Sequence, residues 1–262
     1  MLYLGIDQHA RQITISLRDD QGDVLQARQV STQPRKIHEF FERLTRERLS
    51  KGESFIAVVE VCGFNDWLIR MLQDYRCEKV ILIQPEDRKN RKTDRRDAAA
   101  LSELLWVNRT RLMQGKPVRG LRQVDIASTV DQENRRLTTL RKEAGQARTR
   151  IVNKIKHMLR RHNLMWDMPT KRFPTQRAIA WLKKLVLPAI DQLEMNHSLS
   201  DREHIEQRIQ ELEKVIFERC GTSKHAALLS PKPGVASFTA TSLACRVGRV
   251  ERCPRSHSLA NY

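Results

Sequence analysis

Residues 54–63 read SFIAVVEVCG and residues 79–85 read KVILIQP. Both stretches are of strand length and apolar on consecutive rather than alternate positions, as in strands buried on both faces beneath helices. NDWLIRMLQDY between them carries helical spacing, and TDRRDAAALSELLWVN after them carries it again. Ahead of them, LYLGID, QITISLR and VLQARQV are short runs rich in Val, Ile, Leu and Thr, and DDQGD between the last two suits a hairpin turn. PRKIHEFFERLTRERL places Ile37, Phe40, Phe41 and Leu44 on one helical face, with Pro34 in its first turn. Three strands in succession followed by alternating strand and helix predict a mixed sheet covered by helices, an α/β domain over residues 1–115.

The pattern changes from about residue 121 to 163, where no proline or strand signal interrupts the chain. Val130, Leu137, Ala144, Ile151 and Met158 recur every seven residues, and Ile126, Leu140 and Ala147 fill much of the interleaved set. That spacing predicts a long helix with a coiled-coil seam. Downstream, Ile205, Ile209, Leu212 and Ile216 form a second helical face between a capping box, Ser200 to Glu203, and a stop at Gly221. The two helices pair either as an antiparallel hairpin within one chain or between chains. In the last forty residues, PKPGV reads as a turn between two short helices.

The chain carries 48 Lys+Arg against 31 Asp+Glu, a formal charge of +17. Its position matters more than its total: residues 88–161 hold 21 Arg+Lys and 7 Asp+Glu, so +14 of the excess falls there. Acids for i,i+4 pairing are scarce in that stretch, which makes a phosphate backbone the better counter-charge. Arg88, Lys89, Arg91, Lys92, Arg95, Arg96, Arg148, Arg150 and Lys154 are the candidate nucleic-acid contacts. Aromatic residues are only 5% of the chain, which argues against binding that relies on base stacking. No run of eighteen apolar residues occurs, and five scattered cysteines fit a reduced compartment, so the expected location is the cytoplasm.

Four acidic residues stand where structure alone explains them poorly. Asp7 closes the apolar run LYLGI, although aspartate is depleted in strands. Glu60 ends FIAVV, where an unpaired charge costs several kcal/mol. Asp94 and Asp97 lie three apart at the start of an alanine-rich helix, on neighbouring positions of one face. Each has a plain alternative: Asp7 as a strand end facing water, Glu60 in a salt bridge to arginine, and Asp94 complementing the helix dipole. If the four meet, like charges ~4 Å apart repel by roughly 4 kcal/mol at an effective dielectric near 20. Two divalent cations balance four carboxylates, and Mg²⁺ favours such oxygen ligands. A pair of metals about 3.5–4 Å apart serves phosphodiester chemistry.

GIDQHA, VVEVCG and KTDRRDA, in that order, resemble the DEDD-type transposases and recombinases of insertion sequences of the IS110 family. KTDRRDA is the most specific piece, since both aspartates fall at the family spacing after a strand. The resemblance implies a RuvC-like, ribonuclease H-like α/β domain at 1–115, a helical coiled-coil region at 116–220, and at 221–262 the start of a C-terminal transposase domain with a helix-hairpin-helix-like turn. It implies that Asp7, Glu60, Asp94 and Asp97 form a catalytic tetrad binding Mg²⁺, with two ions. It further implies DNA as substrate, a structured non-coding guide RNA in at least some members, and dimers or tetramers assembled through the coiled coil. The chain would associate with the nucleoid when bound to DNA.

In the family a C-terminal serine attacks the DNA phosphate, beyond the segment that HSLANY resembles. None of Ser230, Ser237, Ser242, Ser256 or Ser258 matches its position, and Ala236 stands where a second glycine is usual, so a C-terminally truncated copy is expected. Two other functions fit the same residues: a stand-alone Mg²⁺-dependent nuclease of the Holliday-junction resolvase type, and a non-catalytic nucleic-acid-binding remnant.

Overall fold

The first three strands, β1 (Leu2–Gln8), β2 (Gln12–Arg18) and β3 (Val24–Ser31), form an antiparallel meander in which β1 and β2 are buried almost throughout and β3 is largely exposed. The computed structural model describes residues 1–49, 52–85, 94–118 and 121–252, and these fall into two compact units, Met1–Ile126 and Ala127–Tyr262. In the first, β4 (Phe55–Glu60) and β5 (Lys79–Pro85) continue the sheet parallel to β1, and β6 (Leu121–Val124) closes it antiparallel to β5. The order is β3-β2-β1-β4-β5-β6. A mixed six-stranded sheet flanked by helices is consistent with a ribonuclease H-like α/β domain. The sequence reading did not anticipate β6. LRQV has two polar residues in the middle, and at a sheet edge such a strand needs no strong apolar signature.

Each sheet face has its own core. Leu4, Ile6, Ile13, Ile15, Ala57 and Val59 pack against Ile37, Phe40, Phe41 and Leu44 of α1 (Pro34–Leu49) and Leu68 and Leu72 of α2 (Asp66–Asp74). On the opposite face Tyr3, Ile56, Val58, Ile81 and Ile83 pack with Leu101 and Leu105 of α3 (Asp94–Val107) and Leu112 of α4 (Arg109–Met113). Gly5 sets how closely α3 approaches. A Cβ there would lie 2.4 Å from the Ser102 amide nitrogen and 2.5 Å from the Ala98 carbonyl oxygen, so any side chain would displace the helix.

The second unit is helical. Ser128 caps α5 (Thr129–Arg161), its hydroxyl accepting from the Asp131 amide at 3.1 Å, and the helix runs antiparallel to α7 (Ala189–Thr222) within the chain. The pairing is laced by ion pairs that descend α7 as they climb α5: Glu133 with Arg219, Arg141 with Glu213, Arg148 with Glu206, Lys154 with Glu194 and Arg161 with Asp191. Between them lies α6 (Gln176–Leu182), capped by Thr175. The turn through Gly234 then joins α8 (Lys224–Leu229) to α9 (Ser237–Val247).

Three details of this unit differ from the sequence reading. The long helix starts at Thr129, not near residue 121, because Ser128 supplies a cap after the edge strand. The later helix starts at Ala189, so the capping box at Ser200 lies in its interior, where buried Met195, Ser198 and Leu199 already belong to its inner face. The buried stripe of α5 comprises Asn134, Thr138, Ala144, Ile155, Met158 and Leu159, whereas Val130 and Leu140 of the expected seven-residue repeat are exposed. The cause is a third helix. Arg135 of α5 donates to the Cys245 carbonyl at the end of α9 (2.7 Å), and Arg246 reaches the Thr138 hydroxyl (3.2 Å), so burial follows two neighbours rather than one seam.

Candidate active site and nucleic-acid interface

β1 and β4 are paired in parallel from Leu2↔Phe55 to Ile6↔Val59, so Asp7 and Glu60 are the next residues on adjacent strands, at the same end of the sheet. Alternation fixes the face. Tyr3 and Gly5 face α3, and Asp7 follows them in the same phase. Glu60 follows Ile56 and Val58 and stands in register with Ile83, all three in the core beneath α3.

The direction of α3 is equally determined. Tyr3 lies under the Arg109 guanidinium, 6.0 Å from its ring centroid and beyond the end of the helix, whereas Gly5 meets Ala98 and Ser102. The helix therefore runs antiparallel to β1, and its first turn, carrying Asp94 and Asp97, comes to the strand ends that bear Asp7 and Glu60. Asp97 is half-buried one turn before Leu101. The side chain of Asp94 lies outside the described residues. Among the described residues no group of three or more His, Cys, Asp or Glu side chains is gathered tightly enough to hold a metal. Asp7, Glu60 and Asp97 thus share a face and an end of the sheet without forming a closed cage.

Two neighbours of these acids were not singled out from the sequence. His9 Nε2 lies 3.0 Å from Asp7 Oδ2, with the carboxylate side chain 14% exposed and the imidazole 49%. Asn65 is buried and ties the two strand ends together. Its amide group donates to the Gln8 Oε1 (2.8 Å) and to the Glu60 carbonyl (3.0 Å), while its Oδ1 accepts from the Cys62 amide (2.6 Å). Gln8 in turn donates to the Phe64 carbonyl at 3.0 Å. This network fixes the backbone of Glu60 relative to that of Asp7. Only the pairing register reveals it, since Asn65 by itself reads as one more turn residue.

The donor chemistry fits a hard divalent cation. All four acidic positions offer carboxylate oxygens, the ligand type that Mg²⁺ selects. The Thr14 hydroxyl adds a buried oxygen without a hydrogen-bond partner among the described residues, on the strand beside Asp7.

Of the proposed phosphate contacts, Arg88, Lys89, Arg91 and Lys92 lie outside the described residues, as does the side chain of Arg95. Arg96 is exposed on α3. On α5, Arg148 and Lys154 face acids of α7, Glu206 at 3.6 Å and Glu194 at 3.1 Å. Arg150 is exposed and has no acidic partner among the described residues. The acids that the charge run lacked locally are thus supplied in part by a helix distant in sequence.

The family model of DEDD-type IS110 transposases, described as transposase, matches residues 4–164, a span that includes all four acidic positions and α5. The chain belongs to this transposase family, whose members act on DNA. No curated protein matches it significantly. Among the described residues, no helix is long and apolar enough to cross a membrane.

Proposed function

We propose that this chain carries out phosphodiester cleavage and strand exchange on DNA, with Asp7, Glu60, Asp94 and Asp97 as the acidic centre of a RuvC-like domain. The observation that carries the proposal is the convergence of direction: parallel pairing and alternation put Asp7 and Glu60 on the α3 face, at the end of the sheet reached by the first turn of α3. A single acid at a strand end is unremarkable. Two on adjacent strands, under the acidic start of a helix, concentrate like charge at one end of the sheet, an arrangement that divalent cations stabilise.

Asp7 and Glu60 would act as rigid oxygen ligands, since one is built into the sheet and the other is fixed through Asn65. Asp94 and Asp97 would be the ligands on the helix. Two Mg²⁺ ions, when bound there, supply activation of the attacking oxygen and stabilisation of the leaving oxygen. In the first unit Arg88, Lys89, Arg91, Lys92, Arg95 and Arg96 would hold the phosphate backbone, and in the second Arg150 and the exposed charge of α5 would contact nucleic acid, a structured guide RNA included. Arg148 and Lys154 would join it by exchanging α7 carboxylates for phosphates. A homo-oligomer built on the α5–α7 hairpin would bring two such centres to a pair of strands.

The test is incubation of the full chain with branched and linear DNA in Mg²⁺, beside Asp97→Asn and Glu60→Gln. Mg²⁺-dependent breakage of wild-type substrate that both variants lose, with DNA binding retained, is the expected result. Binding without cleavage by the wild type would instead identify a nucleic-acid scaffold, and equally efficient cutting of free-ended linear DNA a stand-alone nuclease.

A further inference from the structure

The face of β2 beneath α3 carries a polar stripe, Thr14, Ser16 and Arg18, each in cross-strand register with β1: Thr14↔Asp7, Ser16↔Gly5 and Arg18↔Tyr3. Two of the three are satisfied. The Ser102 hydroxyl donates to the Ser16 Oγ (2.8 Å), and Arg18 Nε donates to the Ser102 Oγ (3.1 Å). Thr14 is the exception: only 1% exposed, with its hydroxyl Oγ1 making no hydrogen bond among the described residues.

An unpartnered buried hydroxyl is unfavourable, and valine, of nearly the same shape, would fill the site at no such cost and with higher strand preference. A directly opposed cross-strand pair places its Cβ atoms about 4.5–5.5 Å apart. The Thr14 side chain therefore stands next to that of Asp7, on the face where Glu60 and the first turn of α3 meet. Hydrated Mg²⁺ keeps several of its waters when carboxylates bind it, and those waters need acceptors and donors of their own.

We propose that Thr14 is a positioning residue of the acidic centre: its hydroxyl hydrogen-bonds a water carried by the cation on Asp7, fixing the orientation of that ligand. The inference rests on the metal-binding role proposed for Asp7 and Glu60, and adds to it a residue with no charge and no place in the acidic motif. It accounts for a buried threonine hydroxyl that makes no hydrogen bond among the described residues.

Titration of the full chain with Mn²⁺ by calorimetry tests it, alongside thermal melting without metal. Thr14→Val is expected to melt at or above the wild-type temperature without metal and to bind Mn²⁺ about 10–100-fold more weakly, the usual cost of losing an outer partner of a metal ligand. Thr14→Ser, which keeps the hydroxyl, is expected to restore most of that affinity. Wild-type Mn²⁺ affinity in Thr14→Val, with binding lost in Glu60→Gln, would overturn the role of Thr14 while leaving the acidic centre standing. Absence of Mn²⁺ binding by the wild type would overturn both. A fall in Mn²⁺ affinity that Thr14→Ser fails to restore would assign the effect to packing and likewise overturn the proposal.

Discussion

At the scale of single residues, the first strand joins two kinds of constraint. Tyr3 anchors one end of β1: its hydroxyl donates to Asp20 at 2.8 Å, and burial, aided by that hydrogen bond, pushes its pKa up to about 12. The sign follows from linkage. The native state keeps the phenol protonated while the unfolded chain loses the proton near pH 10, so this stabilisation is whole below pH 10 and fades between about 10 and 12. Melting temperature measured from pH 8 to 11.5 should therefore fall more steeply for the wild type than for Tyr3→Phe. Parallel curves would show that the phenol does not hold its proton in the fold. Asp7, four residues on in the same strand, is itself a carboxylate, with His9 3.0 Å away and Glu60 next on the adjacent strand.

Among the elements, the α5–α7 hairpin decides which basic side chains are available. Exposed ion pairs contribute only about 0.2–1 kcal/mol each, so Arg148 and Lys154 are held loosely by Glu206 and Glu194, yet they still must leave those partners to meet phosphate. Arg150 has no such exchange to make among the described residues. Arg150→Ala should accordingly weaken nucleic-acid binding more than Arg148→Ala, and lower the slope of log affinity against log salt by about one. Equal losses for the two variants would mean that the ion pairs with α7 do not compete.

The elements also show what the sequence could tell. SFIAVV and KVILIQP were readable as β4 and β5 because runs buried on both faces leave no ambiguity of phase. The α1 face was readable for a different reason, since Ile37, Phe40, Phe41 and Leu44 stand at i, i+3, i+4 and i+7, the spacing of one side of a helix. β6 was not, since LRQV is a short edge strand with a polar middle, nor was the true start of α7, hidden behind a capping signal that the buried face overrides. Asp7 and Glu60 stood out as charges closing apolar runs. Thr14 and Asn65 did not, because the importance of Thr14 depends on the residue opposite it across the strands and that of Asn65 on its hydrogen bonds to Gln8 and Glu60, long-range pairings that no local pattern encodes.

For the molecule as a whole, the two units divide by chemistry as well as by packing. Met1–Ile126 holds the sheet and the four acids, and Ala127–Tyr262 holds the hairpin and much of the basic charge. Membership of a transposase family makes DNA the partner of the protein, and the proposed chemistry requires the acids of the first unit to serve as a metal centre. Diffraction from crystals of the full chain grown with Mn²⁺, recorded for anomalous scattering, examines that point most directly. Two peaks about 3.5–4 Å apart, bounded by carboxylate oxygens of Asp7, Glu60, Asp94 and Asp97, are the predicted result. A map without peaks there, with the Glu60 side chain directed away from the aspartates into an arginine pair, would contradict it.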